Sequence, residues 1–268
     1  MKLNNKRILL TGATGGIGQH IALMLARKGA HLALVGRNVN KLEALAGEIN
    51  NKGGNAKVIV ADFGLADAVE QVVTQASEKL GGMDILINNT AILDFIQFED
   101  QSPERIAQMI QTNVTAPIQL VHALLPKFKA AGQGHFVMIG SMLGSLGLPY
   151  YATYCASKFA VHGFSQALRR ELVDTNIGVT YIAPRTVNTS MNDAAALAML
   201  AKTGGNLDEP EKVAAIVVKA LEYEKQEVFI GQPESFFAWL NGVAPKIVNL
   251  GLKKQARVAK EFAARKAK

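Results

Sequence analysis

The apolar positions of this chain come in two rhythms that alternate along its length. Short runs in which nearly every residue is apolar predict strands buried on both faces. They fall at Arg7–Thr11, His31–Val35, Lys57–Ala61, Asp84–Ile87, His135–Ile139, Val179–Ala183 and Glu227–Ile230. Between them the apolar residues recur at helical spacing. This predicts helices over Gly16–Lys28, closed by Gly29, and over Val39–Asn50, Asp67–Lys79 and Pro210–Glu222. Pro103–Ala130 reads as one long helical region, and Tyr151–Leu172 as a helix whose apolar positions are Phe159, Ala160, Phe164, Ala167 and Leu168.

Strand–helix units repeated in this way demand a parallel sheet covered by helices on both faces. The expected fold is α/β, a single-domain Rossmann-type doubly wound parallel sheet of about seven strands. Residues 1–231 are expected to form it, and residues 232–268 to form a C-terminal helical extension.

Length and composition agree, since 268 residues that are 49% apolar suffice for one large core. Cys155 is the single cysteine, so an intrachain disulfide is excluded and a reducing, cytoplasmic setting is expected. The first residues lead directly into a strand and lack the apolar stretch of a signal peptide. The net charge of +7 suggests nucleic acid until it is located. Lys253, Lys254, Arg257, Lys260, Arg265, Lys266 and Lys268 stand against one anion, Glu261, so six of the seven net charges belong to the tail. No nucleic-acid-reading motif accompanies them.

The tail holds two further readings. Ser235–Leu240 and Ile247–Leu252 are apolar but are separated by Pro245-Lys246, too short for a membrane span. An apolar segment containing Trp239, followed by a cationic helix, fits peripheral membrane contact through residues 235–268. An arm covering a pocket or a subunit interface fits as well.

Candidate chemistry begins at the first strand–helix turn, Thr11-Gly12-Ala13-Thr14-Gly15-Gly16-Ile17-Gly18. Four glycines exceed what a tight turn needs. They let backbone approach a pyrophosphate at a helix N-terminus, whose free N–H groups and dipole favour anions. At the end of the second strand, a carboxylate would bind the ribose 2′-hydroxyl of NAD, whereas arginine accommodates a 2′-phosphate. Gly36 and Arg37 stand there, which predicts NADP(H).

A second pattern lies in residues 141–158. Tyr154 and Lys158 are four residues apart and share a helical face. A nearby ammonium favours the ionised form of a phenol, so the pair predicts a proton donor working near neutral pH. The histidines, His20, His31, His122, His135 and His162, are scattered, and no metal is implied.

Thr-Gly-x-x-x-Gly-x-Gly followed by Tyr-x-x-x-Lys resembles the short-chain dehydrogenases/reductases of the classical type, over about residues 6–231. That resemblance implies a catalytic set of Asn113, Ser141, Tyr154 and Lys158. Tyr154 would protonate the carbonyl oxygen, Lys158 would lower its pKa and hold the nicotinamide ribose, Ser141 would orient the substrate oxygen, and Asn113 would anchor a water. Besides Gly12, Thr14, Gly16, Ile17, Gly18 and Arg37, the resemblance assigns cofactor contacts to Asp62, Phe63, Asn89, Pro184, Val187 and Thr189. Two departures stand out, Ala91 and Arg185, each where the family has glycine. Residues 190–207 would form a substrate lid, with Met191, Leu197, Met199 and Leu200 suggesting an apolar pocket and Gly204-Gly205 a hinge.

The sequence thus predicts NADPH-dependent carbonyl reduction, or alcohol oxidation in reverse, on an apolar, acyl-chain-like substrate, and the resemblance implies a homodimer or tetramer. A 3-oxoacyl-thioester reductase is the alternative within that class. A non-catalytic NADP(H)-sensing module is the alternative outside it, and it would not need the Tyr/Lys pair.

Overall fold

The computed structural model of the chain describes residues 1–65 and 67–263. The tail cations Arg265, Lys266 and Lys268 lie outside the described residues. Seven strands, β1 (Arg7–Thr11), β2 (His31–Gly36), β3 (Asn55–Val60), β4 (Ile85–Asn88), β5 (Gly134–Ile139), β6 (Ile177–Pro184) and β7 (Glu227–Ile230), form one sheet. Its order is β3-β2-β1-β4-β5-β6-β7, with every pairing parallel. The order reverses between β1 and β4. That reversal opens a crevice at the C-terminal ends of the strands, the place where doubly wound sheets bind ligands.

The period-2 geometry of the strands sends successive side chains to opposite faces. Ile8 and Leu10 meet α1 (Gly16–Arg27), α2 (Val39–Asn51) and α8 (Pro210–Glu222) through Ile21, Leu25, Leu42, Val213 and Leu221. Leu9 and Leu86 meet α3 (Ala68–Leu80), α5 (Ala116–Ala130) and α6 (Ala152–Glu171) through Val72, Leu120, Leu124, Val161 and Leu168. Each such side chain, fully buried, stabilises the fold by roughly 1.5–3 kcal/mol.

Two sequence expectations change here. The region expected as one helix over 103–130 is α4 (Pro103–Ile110), a π turn (Gln111–Thr115) and then α5. Pro117 has no N–H to give the Asn113 carbonyl four residues earlier, so the regular ladder cannot run through. In α6 the expected apolar stripe does not face the core as a whole. Phe159 is 43% exposed, while Thr153, Tyr154, Ser157, Lys158 and Ser165 are buried alongside Val161 and Leu168. A helix with a polar buried face is a helix that lines a site.

Beyond β7 the chain forms α9 (Glu234–Val243) and α10 (Pro245–Ala263). Before them, α7 (Ala194–Lys202) occupies the expected lid. Buried Ala259 and Ala263 of α10 share an apolar cluster with Phe95, Met109, Tyr151, Tyr154 and Met199. The C-terminal arm therefore covers the substrate side of the crevice. No helix among the described residues is long and apolar enough to cross a membrane.

Candidate functional site

The crevice holds a cavity of about 620 Å³ that runs from the first glycine turn to α7. At the first end, Gly12 takes φ +62°, a conformation that L side chains rarely adopt. A Cβ on Gly18 would lie 2.1 Å from the Gly12 carbonyl oxygen, and one on Gly16 would lie 2.4 Å from Thr189 Cγ2. Bare glycine is thus required to close the turn and to bring Thr189 against it. Gly12, Thr14, Gly16 and Ile17 line the cavity. Gly18 is buried beneath the turn and serves its packing instead.

Helix α1 starts without a side-chain cap and without an acidic residue in its first turn. Helix geometry leaves the N–H groups of Gly16, Ile17 and Gly18 without intrahelical partners. Free donors, positive dipole and absent side chains together fit a dinucleotide pyrophosphate. Thr11 braces this turn: its hydroxyl accepts from the N–H groups of Asn89 at 2.9 Å and Thr90 at 3.1 Å. The Asn89 side-chain amide donates to the carbonyls of Thr11 (3.1 Å) and Gly12 (3.0 Å). Asn89 borders the cavity with its amide already engaged, so it shapes the turn.

At the adenine end, Gly36, Arg37, Asp62 and Phe63 line the wall. The Arg37 guanidinium is 64% exposed and stands 3.9 Å from Asp62, a loose pair that leaves its donors available. Phe63 is buried beneath.

At the other end, β5 delivers Ser141 and the following turn aims α6 across it. Lys158 Nζ is buried and donates to the Ile139 carbonyl at 2.9 Å, and it lies 5.7 Å from the Tyr154 ring centroid. Burial pushes the Lys158 ammonium down to about 8. Burial pushes the Tyr154 phenol up to about 12, and a hydrogen bond with Ser141 only partly offsets it. Burial, which removes solvent from both groups, is the largest cause of each shift.

Ser141 also accepts from the Leu143 N–H at 3.1 Å, capping a short 3₁₀ turn at Met142–Gly144. Ser145, four residues on, is instead 3.0 Å from His162 Nδ1. Asn113 is buried in the π turn and does not reach the cavity wall. Its amide accepts from Ile92 N–H (2.8 Å) and donates to the Ile92 carbonyl (2.8 Å) and Ser157 Oγ (3.1 Å). Pro117 has no N–H to offer the Asn113 main-chain carbonyl four residues earlier.

Pro184, Val187 and Thr189 line the cavity opposite the glycine turn. Arg185 sits among them, 2.8 and 2.9 Å from Asp208 and 3.0 Å from Glu234, and donates to the Gln232 carbonyl at 2.9 Å. Hydrogen bonding to Asp208 raises its pKa further. Burial opposes the Glu234 charge, but Asn206 and Arg185 hold its carboxyl below the usual range. The residue that breaks the family's glycine is thus the tie between the strand end and α9.

Sequence reasoning missed three parts. Gln255 of α10 lines the cavity. Arg105 pairs with Asp94 at 2.8 Å, and Gln101 joins Asp94 to Thr153, which pins the 89–102 loop to α6. These are long-range pairings with no local periodicity to betray them. Of the expected lid residues, Met191, Met199 and Leu200 line the cavity and Leu197 does not. No group of residues able to hold a metal ion occurs among the described residues.

The sheet order, the glycine turn at the switch point and the Ser-Tyr-Lys wall together define an oxidoreductase architecture. The chain belongs to the short-chain dehydrogenase family, whose pattern it matches over residues 6–199. An uncharacterised oxidoreductase of Bacillus subtilis, YxnA, is 31% identical over 92% of this chain and 71% of its own. The ketoacyl reductase HetN of a Nostoc species is 32% identical over 86% of this chain and 80% of its own. Among solved structures, a short-chain dehydrogenase from Burkholderia cenocepacia in complex with NADP superposes with a TM-score of 0.78. It is 29% identical and covers 88% of this chain and 100% of its own. A Burkholderia phymatum member in complex with NAD shares the fold at 20% identity, with a TM-score of 0.82.

Proposed function

We propose that this oxidoreductase is an NADP(H)-dependent carbonyl reductase, equally an alcohol dehydrogenase in reverse, acting on an apolar, acyl-chain-bearing substrate. The observation that carries the reading is the meeting of Ser141, Tyr154 and Lys158 on one cavity wall, in line with the glycine turn. The bound nicotinamide dinucleotide supplies the hydride. The N–H groups at the start of α1 hold its pyrophosphate and Arg37 forks onto the 2′-phosphate. Pro184, Val187 and Thr189 hold the nicotinamide end. Lys158 holds the nicotinamide ribose.

Burial favours the protonated form of Tyr154, so it enters the reaction as the acid that carbonyl reduction requires. Ser141 hydrogen-bonds the substrate oxygen and stabilises the negative charge developing there. The Asn113 main chain orders the water that returns the proton by way of Lys158. Residues 1–231 form the cofactor-binding and catalytic body, and the arm beyond them closes the substrate side. We place the enzyme in the cytoplasm as a homodimer or tetramer, supported by a single buried cysteine, Cys155, in no disulfide and by Phe159 exposed on α6.

The name of the Nostoc relative favours one second reading, a 3-oxoacyl-thioester reductase. The test is NADPH oxidation against carbonyls graded by chain length, including 3-oxoacyl thioesters. Rates should rise with acyl length. Tyr154→Phe should lower turnover by about 10²–10⁴-fold while leaving NADPH affinity nearly unchanged. Retained turnover in that variant overturns Tyr154 as proton donor. An inert wild type that still binds NADPH overturns catalysis in favour of nucleotide sensing.

A further inference from the structure

We infer that the outer face of the C-terminal arm is a docking surface for an anionic lipid bilayer. Helices α9 and α10 each bury a narrow strip: Ala238 in α9, and Val248, Ala259 and Ala263 in α10. What they leave outside is large and apolar. Phe236, Phe237, Trp239, Val243, Ile247 and Leu250 are 50, 42, 61, 66, 60 and 65% exposed. The Phe236 ring stands 5.8 Å from both Phe237 and Trp239, so the aromatic residues form one continuous patch.

Charge says what covers the patch. Around the outer face of α10, Lys246, Lys253, Lys254, Arg257 and Lys260 are exposed, against the single anion Glu261. None of the five cations enters an ion pair found among the described residues. A second copy of this surface would bring the two sets of cations together. Aromatic and aliphatic side chains that enter the headgroup boundary, ringed by lysine and arginine, match an anionic membrane face. The arm would lie on the bilayer and not cross it, since neither helix is long and apolar enough to do so.

The inner face of the same α10 lines the substrate cavity through Gln255. Docking therefore sets the wall of the pocket against the lipid phase, the phase in which an acyl-chain substrate resides. This last step rests on the substrate class proposed above, whereas the surface itself does not.

Trp239 is the single tryptophan of the chain, so its fluorescence reports this face alone. The full-length Tyr154→Phe protein is titrated with phosphatidylserine/phosphatidylcholine vesicles and with pure phosphatidylcholine vesicles, which separates docking from turnover. Anionic vesicles should shift the emission to the blue and sediment the protein. Lys253→Glu with Lys254→Glu, both exposed and outside the cavity, should weaken that binding by about tenfold or more. Equal binding to neutral vesicles, or no binding to either, overturns the inference. A blue shift that depends on protein concentration without lipid also overturns it, by assigning the patch to a second copy.

Discussion

The Tyr181 hydroxyl grips the main chain of Ser141 from both sides, accepting from its N–H at 3.4 Å and donating to its carbonyl at 3.2 Å. The ring is fully buried and stacks on His162 with centroids 4.3 Å apart. Gly140 and Gly144 are pressed against it, since a Cβ at either position would come within 2.5 Å of the Tyr181 side chain. Strand β6 thus fixes where β5 presents its serine. Tyr181→Phe keeps the ring and removes the grip. It should cost about 1 kcal/mol of stability and lower turnover several-fold. In a Ser141→Ala background the loss of turnover should shrink, and a double-mutant cycle checks this.

Arg37 is exposed and loosely paired, so its removal should leave the fold intact. Arg37→Ala should weaken NADPH by roughly 10–100-fold, the size of a charge-assisted contact, and NADH by little. Titration with the two cofactors tests this. Equal weakening would remove the argument for the 2′-phosphate.

Arg185→Ala should leave Asp208 and Glu234 facing one another without a cation. A destabilisation of about 1–3 kcal/mol is expected. It should read as a Tm lower by roughly 2–4 °C for each kcal/mol. The tie to α9 should also loosen, so limited proteolysis should cut first between α7 and α9.

His135 is buried at the start of β5, 2.8 Å from Thr180 Oγ1, and burial pushes its imidazole down to about 4. In the unfolded chain it returns to about 6.5. Acidification from 6.5 to 4 therefore protonates the unfolded chain first, and stability falls across that window. The loss at pH 5 should reach about 1–2 kcal/mol. Urea unfolding at pH 7 and pH 5 measures it, and His135→Asn should flatten the slope.

The strands and most helices were legible because buried parallel strands are unbroken apolar runs and amphipathic helices repeat their stripe. The glycine turn was legible because only bare backbone closes on Gly12 and Thr189. The π turn escaped the reading of 103–130 as one helix, although Pro117 marked the spot where a carbonyl would lose its donor. The depth of burial of Tyr154 escaped as well. Spacing places Lys158 beside it, but how far solvent is removed from both depends on tertiary packing. Arg185 looked like a defect in a turn, and its partners Asp208 and Glu234 lie 23 and 49 residues away. The same holds for Gln255, which only tertiary packing brings to the cavity.

The sheet is complete at β7, and every residue assigned to nucleotide or catalysis precedes it. On a ribosome, the glycine turn and the Ser-Tyr-Lys wall would be assembled while α9 and α10 are still to come. The arm follows a finished body, so apart from Glu234, Gln255, Ala259 and Ala263, which touch the site, its sequence is free to vary without rewriting the chemistry beneath it. Selectivity and address within the cell would then be carried by the part of the chain that the sheet does not need.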